Sequence, residues 1–267
     1  MSASIEGAVA IVTGGGTGIG AAVVRRLAAR GVRCVINYAT SRDDAEALAA
    51  EVGQGAIAVQ ADIVEDAACR MLAGAATATD AFGRIDFLVN NAGRTKFAAH
   101  EDLDALDAED FVDIYRLNTV APFQMVRACV PALRASSFGA VVNVASVAGV
   151  FGMGSSVAYA ASKGGLVTMT KSLARVLAPE IRVNAVAPGY VATGWYEKRL
   201  GDEGFAKLNA KVAASVPMGF ATGPDDVAGP IEMLLDPMSR AMTGEVLLLD
   251  GGGHLDVALS RRPGREE

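Results

Sequence analysis

Ala8-Val9-Ala10-Ile11-Val12 is an apolar run too short for a helix, with glycines close on either side. Thr13-Gly14-Gly15-Gly16-Thr17-Gly18-Ile19-Gly20 follows at once, and an Ala/Val/Leu/Arg segment then reaches Arg30, with Gly31 after it. This reads as a strand covered on both faces, a glycine-rich turn and a helix closed by glycine. The same alternation continues along the chain. Further strands are expected at Arg33 to Tyr38, Ala56 to Gln60, Ile85 to Val89, Gly139 to Ala145, Ile181 to Val186 and Glu245 to Leu249. Helices are expected at Asp43 to Val52, about Glu65 to Phe82, about Ala108 to Leu133, through Tyr159 to about Ala178, and Asp225 to Leu235. An irregular stretch is expected from Pro188 to about Val216. Strands separated by helices form parallel sheets with helices on both faces. The prediction is an α/β fold: a single doubly wound parallel-sheet domain of about seven strands. It would span residues 1–257, with a lid at about 188–216 and a polar tail at 258–267.

Composition narrows the function. Hydrophobic residues at 51% and charged residues at 20% suit a large core, not a disordered chain. The net charge of -6 argues against nucleic acid or an anionic membrane as a partner. Cys34, Cys69 and Cys129 are odd in number, widely spaced and in apolar contexts, as expected of buried thiols in a reducing compartment. His100 and His254 are the only histidines, and no metal-ligand spacing appears. The N-terminus lacks the basic region of a signal peptide. The longest uncharged stretch, Ala135 to Ser162, is broken by Asn143 and by many serines and glycines. A soluble cytoplasmic protein is expected.

Two local patterns carry chemistry. A glycine turn between a buried strand and a helix start lets backbone amides and the helix dipole approach a pyrophosphate. The spacing is Gly14-x-x-x-Gly18-x-Gly20 rather than Gly-x-Gly-x-x-Gly. Tyr159 and Lys163 lie four residues apart, on one face of a helix. An ammonium beside a phenol favours the phenolate and lowers its pKa, which makes a tyrosine usable for proton transfer. Each pattern alone also fits a tight corner or a core tyrosine.

Taken in order, Thr13-Gly14-x-x-x-Gly18-Ile19-Gly20, Asp62, Asn90-Asn91-Ala92-Gly93, Asn118, Ser146, Tyr159-x-x-x-Lys163, Pro188-Gly189 and Asp250-Gly251-Gly252 resemble the short-chain dehydrogenase/reductase family. The resemblance covers residues of about 5 to 252 and is similar to 3-oxoacyl reductase-like and glucose dehydrogenase-like members. It implies an NAD(P)-dependent oxidoreductase that interconverts a carbonyl and a secondary alcohol by hydride transfer. Tyr159 would be the general acid/base. Lys163 would lower its pKa and bind the nicotinamide ribose, Ser146 would bond the substrate oxygen, and Asn118 would hold a water that relays protons.

For the cofactor, the resemblance implies Gly14, Gly16, Thr17, Gly18, Ile19 and Gly20 at the turn. Asp62 and Ile63 would lie beside the adenine, and Asn91, Ala92 and Gly93 along the dinucleotide. Tyr159, Lys163, Pro188, Gly189, Val191 and Thr193 would hold the nicotinamide half. The second strand runs into Tyr38-Ala39-Thr40-Ser41-Arg42 with no carboxylate at its end. An acid there holds the 2′-hydroxyl of NAD, whereas a base accommodates the 2′-phosphate of NADP. Tyr38, Thr40, Ser41 and Arg42 therefore favour NADP(H) over NAD(H).

Tyr190, Trp195, Tyr196 and Phe205, with Phe97, Phe151 and Met153, imply a partly apolar pocket for a small carbonyl or alcohol. Arg94 and Lys96 could meet an anionic substrate or simply be solvated. A 3-oxoacyl-thioester reductase is the alternative, but Arg134-Ala135-Ser136-Ser137 and Ala178-Pro179-Glu180 offer little to an acidic carrier protein. A non-catalytic NADP-sensing regulator is a further alternative, against which the four catalytic-type residues count. A sugar-nucleotide epimerase would need a second domain. The carboxylate-rich segment from His100 to Asp113 reads as a solvated face. The Tyr159 helix is small or apolar almost all round, so a homo-oligomer, dimer or tetramer, is expected through the long helices.

Overall fold

The computed structural model describes residues 4–78 and 82–255. The expected polar tail at 258–267 lies outside the described residues. Seven strands are β1 (Val9–Val12), β2 (Arg33–Tyr38), β3 (Ile57–Gln60), β4 (Phe87–Asn90), β5 (Ala140–Val144), β6 (Arg182–Pro188) and β7 (Val246–Leu249). They form one sheet in the order β3-β2-β1-β4-β5-β6-β7. Every pairing is parallel, with Ile11 opposite Val35 on one side and Leu88 on the other. The order reverses between β1 and β4, which opens a crevice at their carboxyl ends.

The helices are α1 (Gly18–Ala29), α2 (Arg42–Val52), α3 (Asp66–Thr77), α4 (Ala108–Tyr115), α5 (Ala121–Ala135), α6 (Ala148–Phe151), α7 (Val157–Leu177), α8 (Gly194–Ser215) and α9 (Pro224–Leu235). Strand side chains alternate between two cores. Val12, Ile36 and Val142 face one with Leu27 and Ile231, while Ile11, Val35 and Val141 face the other with Leu72 and Met125. At the amino ends, buried Asp86 accepts Val9 N at 2.9 Å and Arg84 Nε at 2.8 Å, which ties β1 to β4 far from the crevice.

Four expectations need correction. The helix expected to reach Phe82 ends at Thr77, because Ala78 already has extended geometry, φ -56 and ψ 136. The single helix expected over Ala108 to Leu133 is two, joined by a π turn at Arg116–Val120. A local signal for the break is present: Asn118, Thr119 and Val120 are poor helix formers, and Pro122 stands at the start of α5. The stretch expected to be irregular contains α8, broken only at Gly201 with φ 65 and ψ 172. It was hidden because α8 contains no buried residue and so no apolar stripe. Its alanine, lysine and leucine content supplies the propensity instead. The four-residue α6 was also missed between β5 and α7.

Candidate active site

The glycine turn is built from backbone that side chains would obstruct. Gly14 and Gly18 hold φ at +58 and +53, a region that L side chains rarely adopt. A Cβ on Gly20 would lie 2.4 Å from Gly14 O and 2.7 Å from Asn91 Nδ2. Thr17 makes no side-chain cap, and α1 has no acid in its first turn. The helix therefore presents open amides and its positive dipole end at the crevice. That arrangement fits the diphosphate of a nicotinamide dinucleotide. Gly16 lies against Ala45, and a Cβ on Gly18 would meet Thr193 Cγ2 at 3.5 Å, so Thr193 faces the turn.

Polar side chains of Thr13, Asn37 and Asn91 brace this turn. Thr13 Oγ1 accepts Asn91 N at 3.0 Å and Ala92 N at 3.1 Å. Asn91 Nδ2 donates to Thr13 O and Gly14 O, so its amide braces the turn beside the backbone along which the cofactor is expected. Buried Asn37 accepts Gly14 N and donates to Ala61 O at 2.9 Å. An asparagine inside a strand is the signal that could have found it.

At the end of β2, Thr40 and Arg42 are exposed, and Arg42 sits 3.6 Å from Glu46. Tyr38 is only 4% exposed and packs in the core with Ala45 and Leu48. Its side chain falls on the same face of β2 as Cys34 and Ile36. Asp62 accepts Val64 N at 3.1 Å, an Asx turn, and Ile63 is buried.

Ser146 follows β5, and its Oγ accepts Ala148 N at 3.1 Å at the start of α6. Tyr159 lies in the first turn of α7, capped by Ser156 Oγ, which accepts Tyr159 N. Lys163 is buried one turn on, with Nζ 5.8 Å from the centre of the Tyr159 ring. α6 presses on α7 so closely that a Cβ on Gly149 would sit 2.3 Å from the Lys163 carbonyl carbon. A Cβ on Gly93 would sit 3.5 Å from Lys163 Nζ and 3.1 Å from Asn118 Oδ1. Residues from β4, β5, α7 and the π turn thus meet at one point of the crevice. Pro188 O accepts Val147 N, and Gly189 packs on Asp250. Val191, 7% exposed, joins the core.

The electrostatics differ from the expected phenol–ammonium pair. Burial pushes the Tyr159 phenol up to about 12, while the facing Ser146 hydroxyl acts in the opposite direction. Lys163 Nζ donates instead to Val144 O at 2.7 Å, and burial brings its pKa down to about 8. Asn118 does not reach Lys163 by a hydrogen bond: Nδ2 donates to Arg94 O and Ser162 Oγ, and Oδ1 accepts Arg94 N. Lys96, considered for an anionic substrate, pairs with Asp110 at 2.6 Å.

Above this point α8 brings Tyr196 against Tyr190, with ring centres 4.8 Å apart, and edge-on to Phe97 at 6.0 Å. Phe151 stacks on His254, which hydrogen-bonds Asp250 at 2.9 Å. Among the described residues no cluster of metal-ligating side chains occurs and no helix is long and apolar enough to cross a membrane.

A family described as "Enoyl-(Acyl carrier protein) reductase" matches residues 14–254, nearly the whole chain. The chain belongs to the short-chain dehydrogenase/reductase family. This dehydrogenase/reductase is 43% identical over 250 residues to "Granaticin polyketide synthase putative ketoacyl reductase 2" of Streptomyces violaceoruber, covering 94% of this chain and 97% of that one. It is 37% identical to the 3-oxoacyl-[acyl-carrier-protein] reductase of a Synechocystis species, covering 91% and 96%. Among solved structures, a short-chain dehydrogenase/reductase of the glucose/ribitol dehydrogenase type from Brucella melitensis superposes with a TM-score of 0.84 at 28% identity, covering 94% and 98%. The protein is thus an oxidoreductase acting on C=O or CH–OH groups with a nicotinamide cofactor.

Proposed function

We propose that this dehydrogenase/reductase reduces a 3-oxoacyl-type carbonyl with NADPH, using Tyr159 as the proton donor. The observation that carries this reading is the meeting of Tyr159, Ser146, Lys163 and Gly93 at the carboxyl ends of β4 and β5. When bound at this crevice, NADPH would supply the hydride for the carbonyl carbon. Ser146, already facing the phenol, hydrogen-bonds the substrate oxygen where negative charge grows. Tyr159 then gives its proton to that oxygen. A phenol held at about 12 is fully protonated at neutral pH and is still a stronger acid than the product alcohol. Lys163, fixed by Val144 O, keeps a donor beside Gly93 where a ribose would lie.

The open α1 terminus supports a dinucleotide, and exposed Thr40 and Arg42, with no acid at the end of β2, support the 2′-phosphate. The names of the relatives support a 3-oxoacyl substrate. The free small carbonyl is the second reading, favoured by α5, whose last turn offers Arg134 as its only base. Phe111, Tyr115 and Phe123 are each about 40% exposed around the π turn and support a homo-oligomer in which they are covered. Three buried free thiols support a reducing cytoplasm.

The test is oxidation of NADPH, and separately of NADH, by the purified chain with a 3-oxoacyl thioester and with neutral ketones. Tyr159→Phe removes only the transferable proton and should lower kcat by at least about 100-fold. An unchanged kcat in that variant would sink the assignment of the proton donor.

A further inference from the structure

We propose that Arg199 is a specificity-determining residue, which reads an anionic group carried by the substrate beyond its reacting carbonyl. The inference rests on the oxidoreductase reading above and names a substrate class for the same site.

Arg199 is exposed yet held in place. Its guanidinium carbon lies 4.0 Å from the centre of the Phe97 ring. Phe97 in turn meets Tyr196, Tyr196 meets Tyr190, and Tyr190 Oη donates to Asn209 Oδ1 at 2.6 Å. Stacking on a ring face orients a guanidinium and leaves its N–H edge free to form a fork with a carboxylate or phosphate. The loop that carries Phe97 is fastened to the reaction centre. Ala98 N donates to Ser155 O at 2.9 Å, and Thr95 Oγ1 and Ser155 Oγ are 2.6 Å apart, four residues before Tyr159. Arg199 therefore stands on the rim of the pocket that Tyr159 serves. Tyr196 lies between them: burial raises its pKa, the Arg199 charge opposes that rise, and a charge on Tyr196 would raise the Tyr159 pKa.

Two nearby cations are ion-paired, Lys96 with Asp110 and Lys207 with Glu203, whereas Arg94 and Lys198 share with Arg199 the lack of such a partner among the described residues. Among the described residues Arg199 has no carboxylate within ion-pair distance, although the chain is acidic overall and the nearby segment 100–113 is crowded with acids. A purely structural Arg199 would cover Phe97 with its stem and be indifferent to substrate charge. A reading Arg199 would distinguish charged from neutral substrates of one shape. The anion could be a carboxylate close to the carbonyl or the phosphate of a longer carrier arm.

The experiment compares the full chain with Arg199→Gln and Arg199→Lys on acetoacetate, acetoacetyl-pantetheine and acetoacetyl-phosphopantetheine with NADPH. For an anionic substrate, Arg199→Gln should raise KM about tenfold with kcat changed less than about twofold. The neutral pantetheine thioester should be unaffected, Arg199→Lys should restore part of the loss, and added salt should shrink the difference. An effect on acetoacetate identifies a small oxo acid, and an effect on the phosphorylated thioester alone identifies the carrier arm. Equal changes for charged and neutral substrates, or none for any, overturn the inference and leave the oxidoreductase reading intact. No turnover of any of the three by the unaltered chain overturns the 3-oxoacyl reading and this inference with it.

Discussion

Asn118 grips Arg94 by the backbone at both ends: its Oδ1 accepts Arg94 N at 2.9 Å and its Nδ2 donates to Arg94 O at 2.9 Å. The π turn makes this possible by rotating Asn118 inward, where it is fully buried and also reaches Ser162 Oγ at 3.0 Å. A loop that leaves β4 beside the cofactor crevice is thereby fixed to α7, which carries Tyr159 and Lys163.

Asn118→Ala would strand the Arg94 N–H and carbonyl, while the Ser162 hydroxyl would keep its bond to Tyr159 O. Each unsatisfied buried group costs on the order of 1 to 3 kcal/mol, less whatever water recovers. The expected outcome is a lower urea midpoint and weaker NADPH binding, since the loop from Gly93 onward loses its anchor. A variant with both quantities unchanged would mean that the grip is incidental and that Asn118 acts elsewhere.

Gly20→Ala tests the phosphate turn. The new methyl would lie 2.4 Å from Gly14 O and 2.9 Å from Gly15 Cα, atoms of the backbone that cannot swing away as a side-chain end would. The turn must open, so NADPH affinity should fall by at least about tenfold, with a stability loss of about 1 to 3 kcal/mol. Titration of cofactor fluorescence reads the affinity directly. Normal affinity would mean that the turn is not where the diphosphate lies.

The sheet was legible because each strand is an apolar run bounded by glycine or polar residues, and a chain of parallel β–α units has few topologies. Tyr159, Lys163 and the glycine turn were legible because short-range spacing fixes them: one helical turn for the first pair, one corner for the second. What was not legible depends on distance in the chain. The direction of Lys163 Nζ is decided by Val144 O on another element, and the high Tyr159 pKa by everything packed around α7. Helix α8 was hidden because none of its residues is fully buried, whereas the π turn was marked only by Asn118, Thr119, Val120 and Pro122 between two helical stretches.

Cofactor choice should follow the charge at the end of β2. Ala39 and Thr40 are exposed there, and Arg42 is held only by a 3.6 Å contact with Glu46. Arg42→Ala removes the one cation, and a charge-assisted hydrogen bond contributes about 1.5 to 3 kcal/mol, so NADPH affinity should drop by about tenfold or more while NADH affinity is unmoved. Adding Ala39→Asp places a carboxylate suited to a ribose 2′-hydroxyl and should reverse the preference. Dissociation constants for both cofactors, measured on the two variants, decide it. An equal effect of Arg42→Ala on both cofactors would remove the basis for the NADP assignment.

Lys163 is a buried ammonium whose main fixed partner is a neutral carbonyl, and the fold holds its pKa at about 8 against an ordinary 10.5. A depressed folded-state pKa means that folding disfavours the charged form. The contribution of Lys163 to stability is therefore fully present above pH 10.5 and is lost as pH falls through 8. The span corresponds to a loss on the order of 3 kcal/mol. Tyr159 works in the opposite direction only at higher pH, because its raised pKa leaves stability intact below 10 and removes it toward 12. The clean interval is thus pH 8 to 10. Lys163→Met has no proton to lose, so the stability of the unaltered chain should rise relative to that variant across this interval. The gain approaches about 1.4 kcal/mol for each pH step in its middle. Urea unfolding of both proteins at a series of pH values measures the difference directly. A difference that stays flat from pH 8 to 10 would show that Lys163 keeps its ordinary pKa, and that something other than Val144 O, such as solvent, shares its charge.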